Sequence, residues 1–160
     1  MHHKTLVLTR GLPGSAKTTL ARTIAPHANF AADDYFTDED GVYHFDPSQI
    51  GEAHADCQRR TKLAMLRGES VIAVHNTFSM KWEAKPYFEL AQDHGYTVFI
   101  VECQNNFGNE HGVPEQVIQR MKDRWEPLRG EPVSLKHLFK VRFWDWYFGQ
   151  KRKLKKLLGK

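Results

Sequence analysis

Residues 11–19 read GLPGSAKTT, and this stretch decides the fold class of the chain. It matches the phosphate-binding loop pattern G-x-x-x-x-G-K-[ST] at every fixed position but one, because Ala16 stands where the pattern has its second glycine. A short apolar strand over 5–9 precedes the loop, and a helix from Lys17 to about residue 25 is predicted to follow. In this order, backbone N–H groups and the helix N-terminus cradle phosphate oxygens. The stretch therefore predicts a site for a nucleoside triphosphate.

Each part of the loop has its own predicted role. We expect Lys17 to contact the β- and γ-phosphates of ATP, and the Thr18 hydroxyl to hold Mg²⁺. For Ala16 we expect a negative φ, at which a methyl group costs little, and we assign the positive φ of the turn to Gly14. ATP and Mg²⁺ are thus the predicted cofactors. The predicted nucleotide-binding residues are Gly11, Leu12, Pro13, Gly14, Ser15, Ala16, Lys17, Thr18 and Thr19.

Strand and helix patterns alternate along the rest of the chain. Further strands are predicted over 29–32, 70–74 and 96–102, and further helices over 47–67, 80–94 and 114–125. Such alternation favours a mostly parallel sheet that is covered by helices on both faces. We therefore predict an α/β, three-layer P-loop NTPase fold with a basic, aromatic C-terminal extension.

The composition is that of a globular protein. The 160 residues are 41% hydrophobic and 26% charged, and no apolar run approaches the length of a membrane span. Residues 1–4 lead straight into the first strand, which leaves no room for a signal peptide. Cys57 and Cys103 have neither metal-binding nor redox spacing, so we expect reduced thiols. These features predict a cytoplasmic protein with no membrane contact.

The charge of +4 is divided unevenly. Residues 131–160 contain nine Lys/Arg and two Asp/Glu, a balance of +7, whereas the remainder of the chain carries −3. Aromatic residues interleave with this basic run in KVRFWDWYFGQKRKLKK, which is typical of nucleic-acid contact through phosphates and stacking. DNA is therefore the predicted partner. The alternative is that the lysines are a solvated end and the rings pack on the domain.

Two consecutive aspartates, Asp33 and Asp34, follow the second predicted strand. Because the carboxyl ends of parallel strands line the ligand crevice, we expect both to face the phosphate loop. Asp33 is the predicted general base that accepts the proton of an attacking hydroxyl. Asp34 is placed on the acceptor side, where it could order Mg²⁺ waters or cap a helix.

Five stretches together resemble the polynucleotide-kinase-type P-loop kinases: RGLPGSAKTTLART, ADDYF, YHFDPSQIGEAH, NTFSMKWEAKPYFELAQDHGY and HGVPEQVIQRMKDRWEP. The resemblance covers about residues 4–127 and implies transfer of the ATP γ-phosphate to a hydroxyl on nucleic acid. It implies a kinase domain over 1–130, followed by the extension over 131–160. By the same resemblance, Asn76 lies at the position of an acceptor-side acidic residue. Arg120 and Arg124 follow the lid, and one of them is expected to steady the transferring phosphoryl group.

The chain departs from that family on the acceptor side. Phe36 stands where 5′-hydroxyl kinases carry an arginine for the acceptor's phosphate, Gly108 replaces a lid arginine, and Phe78 replaces an asparagine. Rings in place of charges suit stacking on a base, so we predict that Phe36, Phe78 or Tyr35 holds a flipped base. His75 and Asn76 are also assigned to the acceptor side. For any single phenylalanine, core or lid packing is the alternative.

These departures favour a particular acceptor. With these departures, the chain resembles the phage enzymes that phosphorylate 5-hydroxymethyluracil in DNA. Such enzymes act in the cytoplasm of an infected bacterium. The favoured acceptor is therefore the hydroxymethyl group of that base. A polynucleotide 5′-hydroxyl is the first alternative. The second is a nucleotide-dependent DNA-binding module without turnover.

Overall fold

The computed structural model describes residues 3–108 and 112–128, so the predicted extension over 131–160 lies outside the described residues. The described part is built around a four-stranded sheet in which every pairing is parallel, with the strand order β2-β3-β1-β4. The strands are β1 (Thr5–Arg10), β2 (Asn29–Phe30), β3 (Val71–His75) and β4 (Thr97–Glu102), and the α-helices are α1 (Lys17–Ile24), α2 (Ile50–Leu66), α3 (Lys81–His94) and α4 (Glu115–Asp123). The α/β class and the parallel sheet are therefore confirmed.

Helices cover both faces of the sheet. Because successive side chains of a strand point to opposite faces, Leu6 and Leu8 of β1 lie in the main core with the apolar side chains of α2 and α3. On the other face, Ala73 of β3 packs against Ala21 and Ala25 of α1 and its C-cap. The described residues thus form the three layers predicted from the sequence. No helix among them is both long and apolar enough to cross a bilayer.

The helix boundaries lie within two residues of the predicted ones, except at the start of α2. The segment after Asp46 begins as a short 3₁₀ helix, Pro47–Gln49, before α2 starts. Pro86 lies inside α3 and does not interrupt it. At the C-terminal ends the predictions hold, because Gly68 and Gly95 follow α2 and α3 with φ of 80° and 72°, values that glycine adopts without steric cost.

Strand β2 is shorter than predicted, because two backbone N–H groups after it donate hydrogen bonds to side chains. The carboxylate of Asp34 accepts a hydrogen bond from the N–H of Ala31 at 2.8 Å, and the side-chain oxygen of Asn76 accepts one from the N–H of Ala32, also at 2.8 Å. Neither N–H is then available to a neighbouring strand. The chain instead turns into a 3₁₀ helix, Ala32–Phe36, so Asp33 and Asp34 lie in this helix and not at the strand end.

We predict that Asn76→Ala lowers the free energy of unfolding by about 1–3 kcal/mol, because it leaves the buried N–H of Ala32 without an acceptor. Urea denaturation of the two proteins measures the difference. Asn105→Ala, at an exposed position, is the matched control and should change stability by less than about 0.5 kcal/mol. Equal effects of the two substitutions would contradict the assigned role of Asn76.

Candidate active site

The phosphate loop joins the end of β1 to the start of α1, beside the carboxyl end of β3. Glycine is required at two of its positions for reasons of space. A Cβ on Gly14 would lie 1.8 Å from the carbonyl oxygen of Gly108, and one on Gly11 would lie 2.6 Å from that of Cys103. The loop is therefore packed closely against the segment that follows β4. The N–H of Phe107, which donates to the carbonyl of Gly14 at 2.9 Å, strengthens this contact.

The expected backbone conformation of Ala16 is wrong. Gly14 has the predicted positive φ, 76°, but Ala16 also lies in the left-handed region, with φ of 68°. Ala16 is the residue from which the chain enters α1, and the reversal of direction at that point requires the left-handed conformation. For a residue with a Cβ this conformation costs about 1–2 kcal/mol. The substitution for glycine is therefore accommodated with strain.

Lys17 and Thr18 occupy the positions that the motif requires. The Lys17 ammonium donates a hydrogen bond to the carbonyl of Leu12 at 2.7 Å, so it lies folded over the loop. Burial lowers the pKa of Lys17, while the nearby Cys103 and Asp33 favour its charged form. The Thr18 hydroxyl lies 3.4 Å from Nδ1 of His75.

His75, predicted on the acceptor side, contacts the threonine assigned to Mg²⁺. Burial lowers the pKa of this histidine, and the positive charges of Arg22 and Lys17 act in the same direction against the aspartates. Its imidazole is therefore neutral at pH 7 and can share a hydrogen bond with the Thr18 hydroxyl. This contact places His75 beside the residues that are predicted to bind ATP and Mg²⁺.

The loop fits a polyphosphate by its donor set. It combines backbone N–H groups, the Lys17 ammonium and the Thr18 hydroxyl at a helix N-terminus, which together suit phosphate oxygens and a hard cation. The Ser15 hydroxyl is buried and has no hydrogen-bond partner among the described residues, so the loop also contains an uncommitted donor. These residues can therefore hold ATP and Mg²⁺ as the sequence predicts.

Asp34 caps the 3₁₀ helix, which is one of the two roles that the sequence predicts for it. Its Oδ2 atom accepts hydrogen bonds from the N–H of Ala31 and from Nη1 of Arg60, each at 2.8 Å. Arg60 also donates to the carbonyl of Ala31 at 2.7 Å and to the carboxylate of Asp56 at 2.7 Å. The carboxylate of Asp34 is thus held at the start of the 3₁₀ helix, as the alternative capping role requires.

Asp33 has different surroundings. Its side chain is exposed, and its negative charge favours the charged forms of both Lys17 and His75, so it lies near the loop. Tyr43 donates a hydrogen bond to it from its hydroxyl group. Burial, reinforced by the charge of Asp33, raises the pKa of Tyr43 to about 12, so this hydroxyl keeps its proton. Asp33 is consequently an oriented carboxylate on the loop side of the 3₁₀ helix.

Four residues predicted to bind the acceptor are buried: His75, which contacts Thr18, and Phe36, Asn76 and Phe78, whose burial corrects that assignment. The rings of Phe36 and Phe78 are 6% and 2% exposed and belong to the main core, where Phe78 meets Tyr87 edge to face at 5.5 Å. Asn76 is also buried and uses its side-chain oxygen on Ala32. Two large apolar rings gain more from burial in the core than from exposure beside the site, so packing explains both phenylalanines.

The two arginines of the last helical region lie at the surface. Nε of Arg120 donates to the carbonyl of Gln116 in its own helix at 3.3 Å. Arg124 lies 4.0 Å from the carboxylate of Glu83 at the start of α3. No contact of either side chain with the phosphate loop is described, so a role in steadying the phosphoryl group stays a prediction for both.

Sequence reasoning missed Arg10, the residue directly before the loop. Its side chain is 1% exposed, donates to the carbonyl of Glu126 at 2.9 Å, and stacks its guanidinium 4.1 Å from the ring of Trp125. The carboxylate of Glu102 lies 3.5 Å away. Burial lowers the pKa of Arg10, with the two nearby glutamates opposing that shift. Arg10 therefore fastens the segment after α4 to the end of β1, and its position beside Gly11 was the available signal.

We predict that Ala16→Gly raises the free energy of unfolding by up to about 1 kcal/mol, because glycine removes the left-handed strain, while its greater freedom in the unfolded chain offsets part of the gain. Thermal or urea unfolding measures the change, and ATP affinity should not fall. The matched control is Ala55→Gly at an exposed position of α2, which should lose about 1 kcal/mol. A loss of similar size in both variants would contradict strain at Ala16.

Similar solved structures share this architecture. A sugar kinase from Janibacter sp. HTCC2649 is 16% identical, with a TM-score of 0.55 over 81% of this chain and 81% of that one. A chain in the structure of the Pnkp1/Rnl/Hen1 complex is 16% identical, with a TM-score of 0.50 over 88% of this chain and 45% of that one. At these identities the comparison shows a common fold.

Sequence comparison identifies the family. NEDD4-binding protein 2 from Homo sapiens is 38% identical over an alignment of 143 residues that covers 81% of this chain and 8% of the human protein. The chain therefore spans less than a tenth of that relative's length. A family model described as "AAA domain" matches residues 6–107, which include β1, the phosphate loop, Asp33 and β4. The chain belongs to this AAA domain family.

Proposed function

We propose that the protein is a P-loop phosphotransferase that moves the γ-phosphate of ATP to an alcohol hydroxyl, with Asp33 as the general base. The observation that carries the proposal is the division of roles between the two consecutive aspartates. Both side chains are exposed, but Asp34 is engaged with Ala31 and Arg60, whereas the negative charge of Asp33 acts on the loop lysine. One carboxylate fixes the backbone so that the other is available to a substrate.

The donor side is assigned to the loop. Its backbone N–H groups, Lys17 and the Thr18 hydroxyl would hold the phosphates and Mg²⁺, and ATP bound there supplies the activated phosphoryl group. His75 is neutral and close to the Thr18 hydroxyl, so it can orient that hydroxyl toward a cation without adding positive charge. The role of these side chains is positioning and charge stabilisation.

The acceptor side is assigned to Asp33. Its carboxylate would accept the proton of the acceptor hydroxyl as the oxygen of that group forms its bond to the γ-phosphorus. The bond from that phosphorus to the β–γ bridging oxygen breaks in the same step, and ADP leaves. Tyr43 restrains the carboxylate by donating a hydrogen bond, which leaves the other carboxylate lone pairs for the acceptor. The other carboxylate of the Ala32–Phe36 helix, that of Asp34, uses its Oδ2 atom to accept hydrogen bonds from Ala31 and Arg60.

For the acceptor we propose a hydroxyl on DNA, and in the first place the hydroxymethyl group of 5-hydroxymethyluracil. The resemblance of residues 4–127 to polynucleotide-kinase-type enzymes supports a nucleic acid, as does the +7 balance of residues 131–160. The lack of arginine at Phe36 and Gly108 supports a base-borne hydroxyl over a phosphorylated 5′ end. Burial of Phe36 and Phe78 removes those two rings from the argument but leaves the missing arginines in place.

Labelled ATP tests the acceptor directly. The full chain is incubated with DNA containing 5-hydroxymethyluracil, with a 5′-hydroxyl oligonucleotide, and with no acceptor. Label in the first alone supports the proposal, and label in the second alone assigns a polynucleotide 5′-hydroxyl instead. Tight DNA binding without any label would leave a nucleotide-dependent DNA-binding module and overturn the phosphotransferase.

We predict that Asp33→Asn lowers kcat by about 10²–10⁴-fold with little change in ATP affinity, because it removes the proton acceptor and leaves the loop intact. Steady-state kinetics and ATP calorimetry measure the two quantities. Asp34→Asn is the matched control: it should keep kcat within about tenfold and lower stability by about 1 kcal/mol or less, through the weakened pair with Arg60. A larger loss of kcat in Asp34→Asn than in Asp33→Asn would reverse the two assignments.

A further inference from the structure

A small hairpin begins immediately after the 3₁₀ helix that carries Asp33. Thr37 and Tyr43 form an antiparallel bridge, and the N–H of His44 donates to the carbonyl of Phe36 at 2.7 Å. The carboxylate of Asp38 closes the turn by accepting hydrogen bonds from the N–H groups of Asp40 and Val42, at 3.0 and 2.8 Å. The segment is therefore a hydrogen-bonded unit whose position is fixed relative to Asp33.

Three aromatic rings of this region surround one buried ring. Phe36 contacts Tyr35 at 5.5 Å, Tyr43 at 6.2 Å and Phe45 at 5.1 Å between ring centroids, each edge to face. Tyr43 and Phe45 are nearly parallel, with an interplanar angle of 14°. Tyr35 is 38% exposed and Phe45 is 54% exposed. We call Tyr35, Tyr43 and Phe45 the aromatic platform, and it has the exposed rings that Phe36 lacks.

The aromatic platform adjoins the proposed general base. Tyr43 donates its hydroxyl hydrogen bond to Asp33, and its ring is nearly parallel to that of Phe45. Tyr35 lies two residues after Asp33, and Glu52 accepts a hydrogen bond from its hydroxyl at 3.0 Å, which holds the ring in place. A flat group stacked on the aromatic platform would therefore lie next to the residue that donates a hydrogen bond to Asp33.

The charge of this surface disfavours phosphate. Residues 33–56 contain eight aspartates and glutamates and no lysine or arginine. The basic side chains that approach from α2 are already paired, Arg59 with Asp56 and Arg60 with both Asp34 and Asp56. A phosphate placed on the aromatic platform would therefore meet net negative charge, whereas an uncharged ring would not be repelled. An aromatic surface in an acidic setting therefore selects a neutral planar group.

We propose that the aromatic platform binds the acceptor through an uncharged planar ring, a nucleobase that carries the reacting hydroxyl, with the ring stacked on Phe45 and the hydroxyl directed to Asp33. This inference rests on the proposed function and specifies its acceptor site. It assigns the base contact to exposed rings of the hairpin, in place of the buried Phe36 and Phe78. Tyr43 serves as a positioning residue for Asp33.

Binding of a neutral probe tests the aromatic platform without requiring turnover. The probe is the nucleoside 5-hydroxymethyl-2′-deoxyuridine, titrated by NMR into the full chain in the presence of a non-hydrolysable ATP analogue. It carries no phosphate, so the basic residues of 131–160 do not contribute by charge. Because stacking of a base on an aromatic side chain is typically lost on truncation to alanine, Phe45→Ala should weaken binding about tenfold or more. Phe45→Trp should restore it.

The matched control is Phe99→Ala, which removes an equally large ring that is 46% exposed on β4, away from the hairpin, and should leave the affinity unchanged. The 5′-monophosphate of the same nucleoside should bind no better than the nucleoside itself. Absence of nucleoside binding, equal affinity for Phe45→Ala and wild type, or tighter binding of the monophosphate would each overturn the aromatic platform. Phosphoryl transfer in the labelled-ATP assay is measured separately. If the chain binds the nucleoside but transfers no phosphate, base binding by the aromatic platform is supported and the proposed phosphotransferase function is overturned.

Discussion

The capture of two backbone N–H groups after β2 is the constraint on which the site depends. Asn76, at the carboxyl end of β3, takes the N–H of Ala32, and Asp34 takes that of Ala31. With these donors occupied, the chain leaves the sheet and turns as a 3₁₀ helix. That helix turns Asp33 toward the loop lysine and leads directly into the hairpin. Buried polar groups are costly when unpaired, so this arrangement is strongly specified.

In the phosphate loop, close packing explains two of the glycines, whereas Ala16 is strained. Its glycines at 11 and 14 are required by contacts with the segment after β4, where any Cβ would collide with backbone oxygen atoms. Ala16 has no such collision, yet it adopts a left-handed conformation that a side chain opposes. Strain of this kind is common where function over-determines the backbone. The fold tolerates it because β1, α1 and the segment after β4 hold both ends of the loop.

The acceptor side is defined by which rings are buried. Phe36 and Phe78 stabilise the core, and Phe36 in turn orients the exposed rings of the hairpin from beneath. Acidic residues surround those rings, while the positive charge of the chain is concentrated in residues 131–160. The positive charge that would suit a polyanion and the exposed hairpin rings that would suit a neutral group therefore lie in separate parts of the sequence. This separation is consistent with an acceptor that is held by its base.

Local patterns determined the fold class, the parallel sheet and the phosphate-loop motif, because hydrophobic periodicity and glycine spacing act over a few residues. The φ of Ala16, the burial of Phe36 and Phe78, and the role of Arg10 depended on tertiary structure. The role of Arg10 depends on atoms far away in sequence, because its partner Glu126 is 116 residues distant, and the 3₁₀ helix likewise depends on Asn76, which reaches back 44 residues to Ala32. A pattern identifies which residues can do chemistry, but only packing decides whether a ring faces solvent or the core, since burial is a property of the assembled layers.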